Sequence, residues 1–302
     1  MSINTTNTGQ LIRDEIWSQR VQDELQEELF GQDLVEMITD FPDGDLITIP
    51  TLSALSARAY VENDDITVDD PSVAEFQLTI TEYNQAGIVV TDKMKQDTFY
   101  MSVLIQKFPE QAVRAIMERL ESDIMLLHKK QTSNDANTIN GRAHRFVGSG
   151  TSNAMTLADV RNTKLALDKG LVSKVGRKAI VDPSVSAELL GIDNIIRQDV
   201  FGANTHIKDG FGTTRSIGTY LGFDWFESNM LDEATALNHA TGGSLIGNMF
   251  IGAEAFLGAM RLMPTIEKFR QATRKRDVFH VTTRYGLGLY RAVSLVSVLT
   301  GA

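Results

Sequence analysis

Residues 108–131 read FPEQAVRAIMERLESDIMLLHKKQ, the clearest helical pattern in this chain of 302 residues. Apolar residues recur there at every third or fourth position, which places them on one face of an α-helix. The members of this stripe are Val113, Ile116, Met117, Leu120, Ile124 and Leu127. Pro109 suits the first position of a helix, where its missing N–H costs nothing. Since about 22 residues at 1.5 Å each span roughly 33 Å, we predict a long spine helix over about residues 109–131.

Upstream of this helix, two stretches alternate apolar and polar residues, DLITIPTL at 45–52 and AEFQLTITEYNQAGIVVT at 74–91. Alternation is typical of β-strands, and we interpret the two stretches as the strands of a long hairpin. Between them, five carboxylates fall within nine residues: Glu62, Asp64, Asp65, Asp69 and Asp70. Eleven acids lie from Asp40 to Asp92 against one base, Arg58. The sequence therefore predicts that this acidic segment faces solvent or a basic partner.

The rest of the chain is predicted to mix helices and strands. Spacing, proline and glycine signals define most of these elements, and a high content of Val, Thr and Tyr defines the closing strands. We predict an amphipathic arm at 10–30 ended by Gly31, a helix at 156–170 closed by Gly170, a short buried strand at 178–182, a helix that begins at Pro183, loops and strands over 196–231, and two closing strands within 277–302. The stretch 132–154 is rich in Gly, Ser and Asn, so we place an internal boundary there.

Composition excludes several classes of site and partner. The chain has no cysteine, so disulfides and cysteine-ligated metals are excluded. Its net charge of -10 argues against a protein that wraps DNA directly, because phosphate binding needs clustered Lys and Arg. No apolar run approaches the roughly 18 residues of a membrane helix, and the N-terminus lacks the regions of a signal peptide. We expect a cytoplasmic product without a membrane anchor.

Local motifs for catalysis, cofactors and metals are missing. The acidic segment lacks the sixth-position glycine of a calcium loop, whether the register starts at Asp64 or at Asp65. GFGTTR at 210–215 and GLGLYR at 286–291 place Arg where the third glycine of a dinucleotide fingerprint belongs, and we interpret their glycines as turn and close-packing residues. The five histidines are scattered, and no GxSxG elbow occurs. We predict no catalytic residue, no cofactor and no metal.

Positive charge concentrates in one place, FRQATRKR at 269–276. This run lacks the interleaved aromatic residues of a nucleic-acid site. We interpret it as a solvated face or as a counterpart for the acidic segment.

The order of these elements resembles the major capsid protein of tailed bacteriophages, which has the Hong Kong 97-type fold. EIWSQRVQDELQEELF followed by GDLITIP is similar to the N-terminal arm and first strand of that family, and the stretch 60–92 is similar to its extended E-loop. PEQAVRAIMERLESDIM resembles its spine helix, RKAIVDPSVSAELL with IGTYLGFDWFESNML resembles its axial domain, and YGLGLYRAVSL resembles its closing strands. The resemblance covers essentially the whole chain and implies an α+β fold.

This resemblance implies four parts of the chain and a structural, non-enzymatic function. The parts are an N-terminal arm at 1–44, an E-loop hairpin at 45–97, a peripheral domain at 98–150 and 263–302, and an axial domain at 151–262. The implied function is self-assembly into hexamers and pentamers of an icosahedral head that encloses double-stranded DNA. Expected partners are other copies of the chain, a portal, and separate scaffolding or decoration proteins. DNA is expected to be enclosed without sequence-specific binding, and the expected location is the virion, after assembly in the bacterial cytoplasm.

Two departures from the family refine these expectations. Some members cross-link through a lysine on the E-loop, whereas this chain has no lysine between Asp40 and Asp92, so we predict a non-covalent shell. Some members carry a fused scaffolding segment, whereas the arm here begins almost at Met1. We therefore expect a separate scaffolding protein or none.

A specific hypothesis for assembly follows from charge. We predict that the acidic hairpin docks over a neighbouring subunit and that its carboxylates meet basic residues of the 269–276 run. The predicted contact residues are Glu62, Asp64, Asp65, Asp69 and Asp70 on one side and Arg270, Arg274, Lys275 and Arg276 on the other. Two alternatives stay open: an encapsulin-type compartment of the same fold, and a calcium-binding or hydrolytic protein that uses the acidic loop.

Overall fold

The computed structural model describes residues 29–39, 44–52, 57–59, 62, 65, 73–97, 101–131, 138–190, 216–231 and 245–301. Its helices are Asp92–Asp97 (α1), Met101–Met125 (α2), Leu157–Lys169 (α3) and Pro183–Leu190 (α4). Its strands are Val35–Ile38 (β1), Leu46–Leu52 (β2), Val73–Thr79 (β3), Glu82–Thr91 (β4), Thr138–Ile139 (β5), Arg142–Ala143 (β6), Arg145–Val147 (β7), Lys178–Val181 (β8), Ser216–Tyr220 (β9), Phe223–Glu227 (β10), Leu245–Ile251 (β11), Phe256–Gln271 (β12), Arg276–Leu289 (β13) and Leu295–Gly301 (β14).

Two larger sheets organise the described part of the chain. One has four strands in the order β1-β12-β13-β4, and helix α2 lies across its β13 and β4 strands. The other has six strands in the order β7-β14-β11-β8-β10-β9. The β2 and β3 strands form a separate antiparallel hairpin, from Leu46 opposite Thr79 to Leu52 opposite Val73. The final strand, β14, belongs to the six-stranded sheet, so the chain returns there after building the four-stranded one.

One buried apolar cluster joins the two sheets through the end of helix α2. Ile124 and Met125 of α2 are completely buried. They share a cluster with Met249 and Leu295 of the six-stranded sheet and with Phe256 and other residues of the four-stranded sheet. Burying apolar side chains of this size stabilises the folded chain by about 1.5–3 kcal/mol each. The end of the spine helix therefore fixes the two sheets relative to each other.

Local signals in the sequence explain the smaller helices. Thr156 caps α3 in a capping box, because its hydroxyl accepts from the Asp159 N–H while the Asp159 carboxylate accepts from the Thr156 N–H. Gly170 follows the last residue of α3, as predicted. The predicted strand at 178–182, the helix that begins at Pro183 and the two closing strands are likewise confirmed as β8, α4, β13 and β14.

The predicted start of the spine helix is wrong. Helix α2 begins at Met101, so Pro109 lies inside it. A proline inside a helix removes one backbone hydrogen bond to the residue four positions earlier, whereas MSVLIQKF at 101–108 contains good helix formers that extend the helix upstream. The predicted end at residue 131 agrees better with the structure. Helix α2 ends at Met125, and a 3-10 turn continues from Leu126 to Lys130.

The predicted second hairpin strand at 74–91 is two strands. The β2–β3 pairing is confirmed, but the alternating stretch breaks at Ile80 and Thr81. The Ile80 N–H donates to the Asp45 carbonyl (2.7 Å), and the Ile80 side chain is buried. Beyond this point, β4 leaves the hairpin and pairs along its full length with β13.

The predicted arm at 10–30 lies outside the described residues except for Leu29 and Phe30.

Candidate assembly surface

The base of the β2–β3 hairpin packs on the four-stranded sheet. Leu78 and Ile80 are buried against Leu257 and Ala259 of β12, and Phe76 makes an edge-to-face contact with Tyr290, with ring centroids 5.1 Å apart. Arg261 of β12 also donates to the Gly44 carbonyl, just before β2. Both strands of the hairpin are thus anchored where they leave the body of the protein.

Two glycines of β13 allow this close approach. A Cβ at Gly286 would lie 2.5 Å from the Thr79 carbonyl oxygen and 2.9 Å from the Ile80 Cα. A Cβ at Gly288 would lie 2.9 Å from Leu78 Cδ1. The interpretation of GLGLYR as close-packing glycines is therefore confirmed for the pair in β13, while GFGTTR at 210–215 lies outside the described residues.

The basic run forms the tip of a second hairpin, β12–β13. Residues Ala272–Arg274 form a 3-10 turn, and Lys275 has a left-handed backbone with φ of 46°. Strand β1 pairs only with residues 256–259 of β12. Along its later residues, β12 exposes the apolar side chains of Met263, Ile266 and Phe269. Because β4 pairs with the distal part of β13, it is the distal part of β12 that forms an edge of the sheet among the described strands, with apolar and basic side chains on its surface.

One arginine of the basic run is held by acids of its own chain. Arg270 donates to both carboxylate oxygens of Asp92, at 2.6 and 2.5 Å, and to Asp277 at 3.0 Å. Lys95 of α1 donates to the other oxygen of Asp277. The Asp92 N–H donates to the Lys275 carbonyl at 3.0 Å. These contacts tie the hairpin tip to the junction of β4 and α1.

These contacts lower the pKa of both carboxyl groups. The pKa of Asp92 is lowered mainly by the hydrogen bonds from Arg270. The pKa of Asp277 is lowered by the hydrogen bond from Lys95 and then by that from Arg270. Correspondingly, the pKa of Arg270 is raised, chiefly by Asp92. All of these groups are thus charged at neutral pH.

The sequence did not indicate Asp92, Asp277 and Lys95 as residues of this site. The only available signal was that Asp277 follows the basic run directly, and alternation along β13 does not say which residues lie opposite in space.

Of the predicted acidic contact residues, Glu62 and Asp65 are exposed, whereas Asp64, Asp69 and Asp70 lie outside the described residues. Arg274 and Lys275 are exposed, and the Arg276 side chain donates to Gln271 at 2.6 Å. Pairing between subunits stays a prediction.

The point where the N-terminal segment joins the body is also fixed by a charged side chain. The buried carboxylate of Glu121, on α2, accepts from the Gly31 N–H at 2.6 Å and from the Phe30 N–H at 3.3 Å. The Phe30 ring stacks on Phe226 of β10, with centroids 5.4 Å apart. Sequence reasoning missed Glu121, because a glutamate on a helix ordinarily faces solvent.

The described residues do not bring together a cluster of His, Asp and Glu that could hold a metal ion. Within the same residues, no helix has the length and apolar character needed to cross a membrane.

Comparison with known proteins gives a family match and similar solved structures. The family described as phage capsid protein matches residues 74–297. No curated protein sequence matches the chain significantly. The capsid of cyanophage P-SCSP1u has a TM-score of 0.74 at 14% identity, with 96% of this chain and 93% of that chain covered. The capsid of cyanophage Pam1 has a TM-score of 0.72 at 14% identity, with 100% and 98% covered. Mycobacterium phage Che8 gives 0.67 at 17% identity, with 95% and 96% covered. These similarities confirm the predicted α+β fold.

The Arg270 cluster predicts a pH dependence of stability. Because the folded-state pKa values of Asp92 and Asp277 are lowered, their contribution is fully present above the pKa of an unfolded aspartate, about 4. This stabilising contribution is lost as the pH falls through the lowered pKa values that the two aspartates have in the folded state. We expect the melting temperature of the wild type to exceed that of Asp92→Asn/Asp277→Asn at pH 6, and the difference to shrink at pH 3. Asp97→Asn, an exposed change in the same helix, is the control. A difference that is the same at both pH values would contradict the assignment.

The glycine contact predicts that one added methyl group displaces the β2–β3 hairpin. In Gly286→Ala the new methyl group clashes with backbone atoms of Thr79 and Ile80, which cannot rotate away. We therefore expect the free energy of unfolding to fall by about 1–3 kcal/mol. Gly288→Ala is the matched control, because it meets the ends of the flexible Leu78 and Phe76 side chains. Denaturant unfolding measures both losses. An equal or smaller loss for Gly286→Ala would show that the hairpin base is not closely packed.

Proposed function

This chain belongs to the phage capsid protein family, and from this we propose that it assembles as hexamers and pentamers into an icosahedral phage head. As a member of the family it is a structural protein of the virion capsid. We propose further that the shell encloses double-stranded DNA without sequence-specific binding, is completed by a portal, and forms in the bacterial cytoplasm with a separate scaffolding or decoration protein. The division into arm, E-loop, peripheral and axial parts belongs to the same proposal.

The observation that carries this proposal is a body that leaves strand surfaces uncovered, on the β2–β3 hairpin and along the distal edge of β12. The β2–β3 hairpin is fixed at its base by the close contact with Gly286. Beyond residue 259, β12 pairs with β13 alone among the described strands and exposes Met263, Ile266 and Phe269. A hairpin of two strands alone is only marginally stable in water. Neighbouring copies would cover these surfaces, and repeated contacts of this kind close a symmetric shell.

The shell is proposed to be held without covalent cross-links. The segment from Asp40 to Asp92 contains no lysine that could form an isopeptide bond on the first hairpin. Contacts between subunits would then consist of apolar burial and ion pairs. Exposed ion pairs contribute about 0.2–1 kcal/mol each, so many of them must act together over the shell.

Assembly of the purified chain tests the function directly. We expect sedimentation to show species far larger than a 33.4 kDa monomer and electron microscopy to show closed shells or capsomers. Boiling in detergent should return a single-chain band, since the shell is non-covalent. A chain that stays monomeric at every concentration, with and without crowding agents, would contradict the proposal.

Charge reversal tests the pairing between the acidic hairpin and the basic tip. Arg274→Glu/Lys275→Glu/Arg276→Glu should reduce shell yield without unfolding the subunit, because Arg274 and Lys275 are exposed at the turn and Arg276 loses only its hydrogen bond to Gln271. Arg270 is left unchanged, since it holds Asp92 and Asp277 of its own chain.

The matched control reverses both sides of the proposed pairing. Replacing Asp64, Asp65, Asp69 and Asp70 by Lys in the reversed chain should restore part of the shell yield. Normal shells from the triple variant, or no restoration in the doubly reversed chain, would refute the pairing but leave the capsid assignment intact. Circular dichroism of each variant checks that the subunit is folded.

A further inference from the structure

The loop between α3 and β8 presents apolar side chains in an unusual way. The Leu171 N–H donates to the Asp168 carbonyl and the Val172 N–H to the Leu167 carbonyl, both at 3.2 Å. This pattern closes the C-terminus of α3 with Leu171 in a left-handed conformation, φ 58°. Glycine is the usual residue at such a position, because a side chain there is strained. Leu171 therefore carries a conformational cost.

Leu171 buries very little of its side chain within its own subunit in return. Its side chain is 92% exposed, and that of Val175 in the same loop is 82% exposed. Among the large apolar side chains of the described residues, the next most exposed is Tyr83 at 62%. Leu171 and Val175 are thus the apolar groups that would gain most from being covered.

The loop is rigid although its side chains are exposed. Arg177, only 3% exposed, donates to the Val172 and Ser173 carbonyls, each at 2.8 Å, and pairs with Asp168 at 2.8 Å. Val172 packs so closely on the neighbouring strand connection that a Cβ at Gly252 would lie 2.3 Å from it. A buried arginine with three such contacts holds the loop in one shape. Because the loop is already ordered in the free subunit, binding would cost little further conformational entropy of the loop.

We propose that the loop from Leu171 to Val175 docks on a second copy of this chain. The proposal rests on the proposed function, in which each subunit is surrounded by copies of itself. Beside Leu171 a cleft of about 420 Å³ opens, and its lining includes Val293 and the ion pair between Arg291 and Glu254. This cleft extends the docking surface and would receive side chains of the neighbouring copy.

Charge also favours a copy of this chain as the occupant. The exposed bases next to the exposed apolar side chains are Lys169, at the end of α3, and Lys174, within the loop, whereas Asp168 is paired with Arg177. The chain as a whole carries a net charge of -10, so another copy offers the complementary sign. DNA would match the bases but not the two apolar side chains, which protein surfaces cover best.

The substitution Leu171→Gly separates stability from assembly. Glycine relieves the left-handed strain, so we expect the melting temperature of the unassembled subunit to stay the same or to rise by about 2 °C. Shell yield of the purified chain should fall at least several-fold, and further in Leu171→Gly/Val175→Ser. Asn140→Gly is the matched control, since Asn140 is also exposed with a left-handed backbone, φ 51°, at the turn between β5 and β6. It should leave shell yield unchanged.

The outcomes distinguish this inference from the proposed function. If the wild type forms shells and the double variant forms them equally well from purified chain, the loop does not dock on a second copy, and the inference fails alone. If the wild type forms no shells under any condition, the proposed function fails and the inference with it. A lower melting temperature for Leu171→Gly would also overturn the inference, because it would show that Leu171 stabilises its own chain.

Discussion

The structure depends on the last two turns of helix α2, which lie between the two sheets. Ile124 and Met125 are fully buried there and contact apolar residues from both sheets in one cluster. Because protein interiors are closely packed, such a cluster transmits the position of one sheet to the other. The two sheets and the helix therefore act as one body, to which the base of the β2–β3 hairpin is anchored. Glu121 on the same part of α2 also fixes the entry of the N-terminal segment through Gly31.

A polar contact within the same buried cluster supports this arrangement. The buried Tyr285 hydroxyl donates to Asp123 of α2 at 2.6 Å and accepts from Asn84 of β4 at 2.8 Å. Burial raises the pKa of Tyr285, and the Asp123 carboxylate raises it further, so the hydroxyl stays protonated as the donor. The spine helix is thus joined to two strands of the sheet through one side chain. The sheet that carries both hairpins gains its rigidity from these contacts.

Local signals predicted the elements whose boundaries are set locally. Helical spacing with Gly170 and Pro183 placed α3 and α4 correctly, and the Val, Thr and Tyr content of the last residues indicated β13 and β14. Tertiary contacts decided the rest. The break at Ile80 arises because the chain changes sheets there, and alternation continues across it with no sign of the change.

The charged segments of the candidate surface could be predicted from the sequence, but the positions of their residues in space could not. The sequence showed an acidic segment and a basic run, and the structure places the basic run at a hairpin tip. The role of Arg270 could not be read from the sequence, because its acidic partners lie on another strand junction and on the returning strand, Asp92 and Asp277. The exposure of Leu171 could not be predicted either, because LALDKGLV at 165–172 has the sequence of an ordinary helix end. The strain at Leu171 is seen only in its backbone angle.

The central claim is that this body is a shell subunit whose β2–β3 hairpin and distal β12 edge are covered by neighbouring copies. An electron cryomicroscopy map of the particle formed by the purified chain tests it most directly. The account predicts a closed shell in which the β2–β3 hairpin and the exposed β12 side chains Met263, Ile266 and Phe269 contact adjacent subunits. A particle in which both surfaces remain exposed to solvent, or a chain that forms no particle at all, would contradict it.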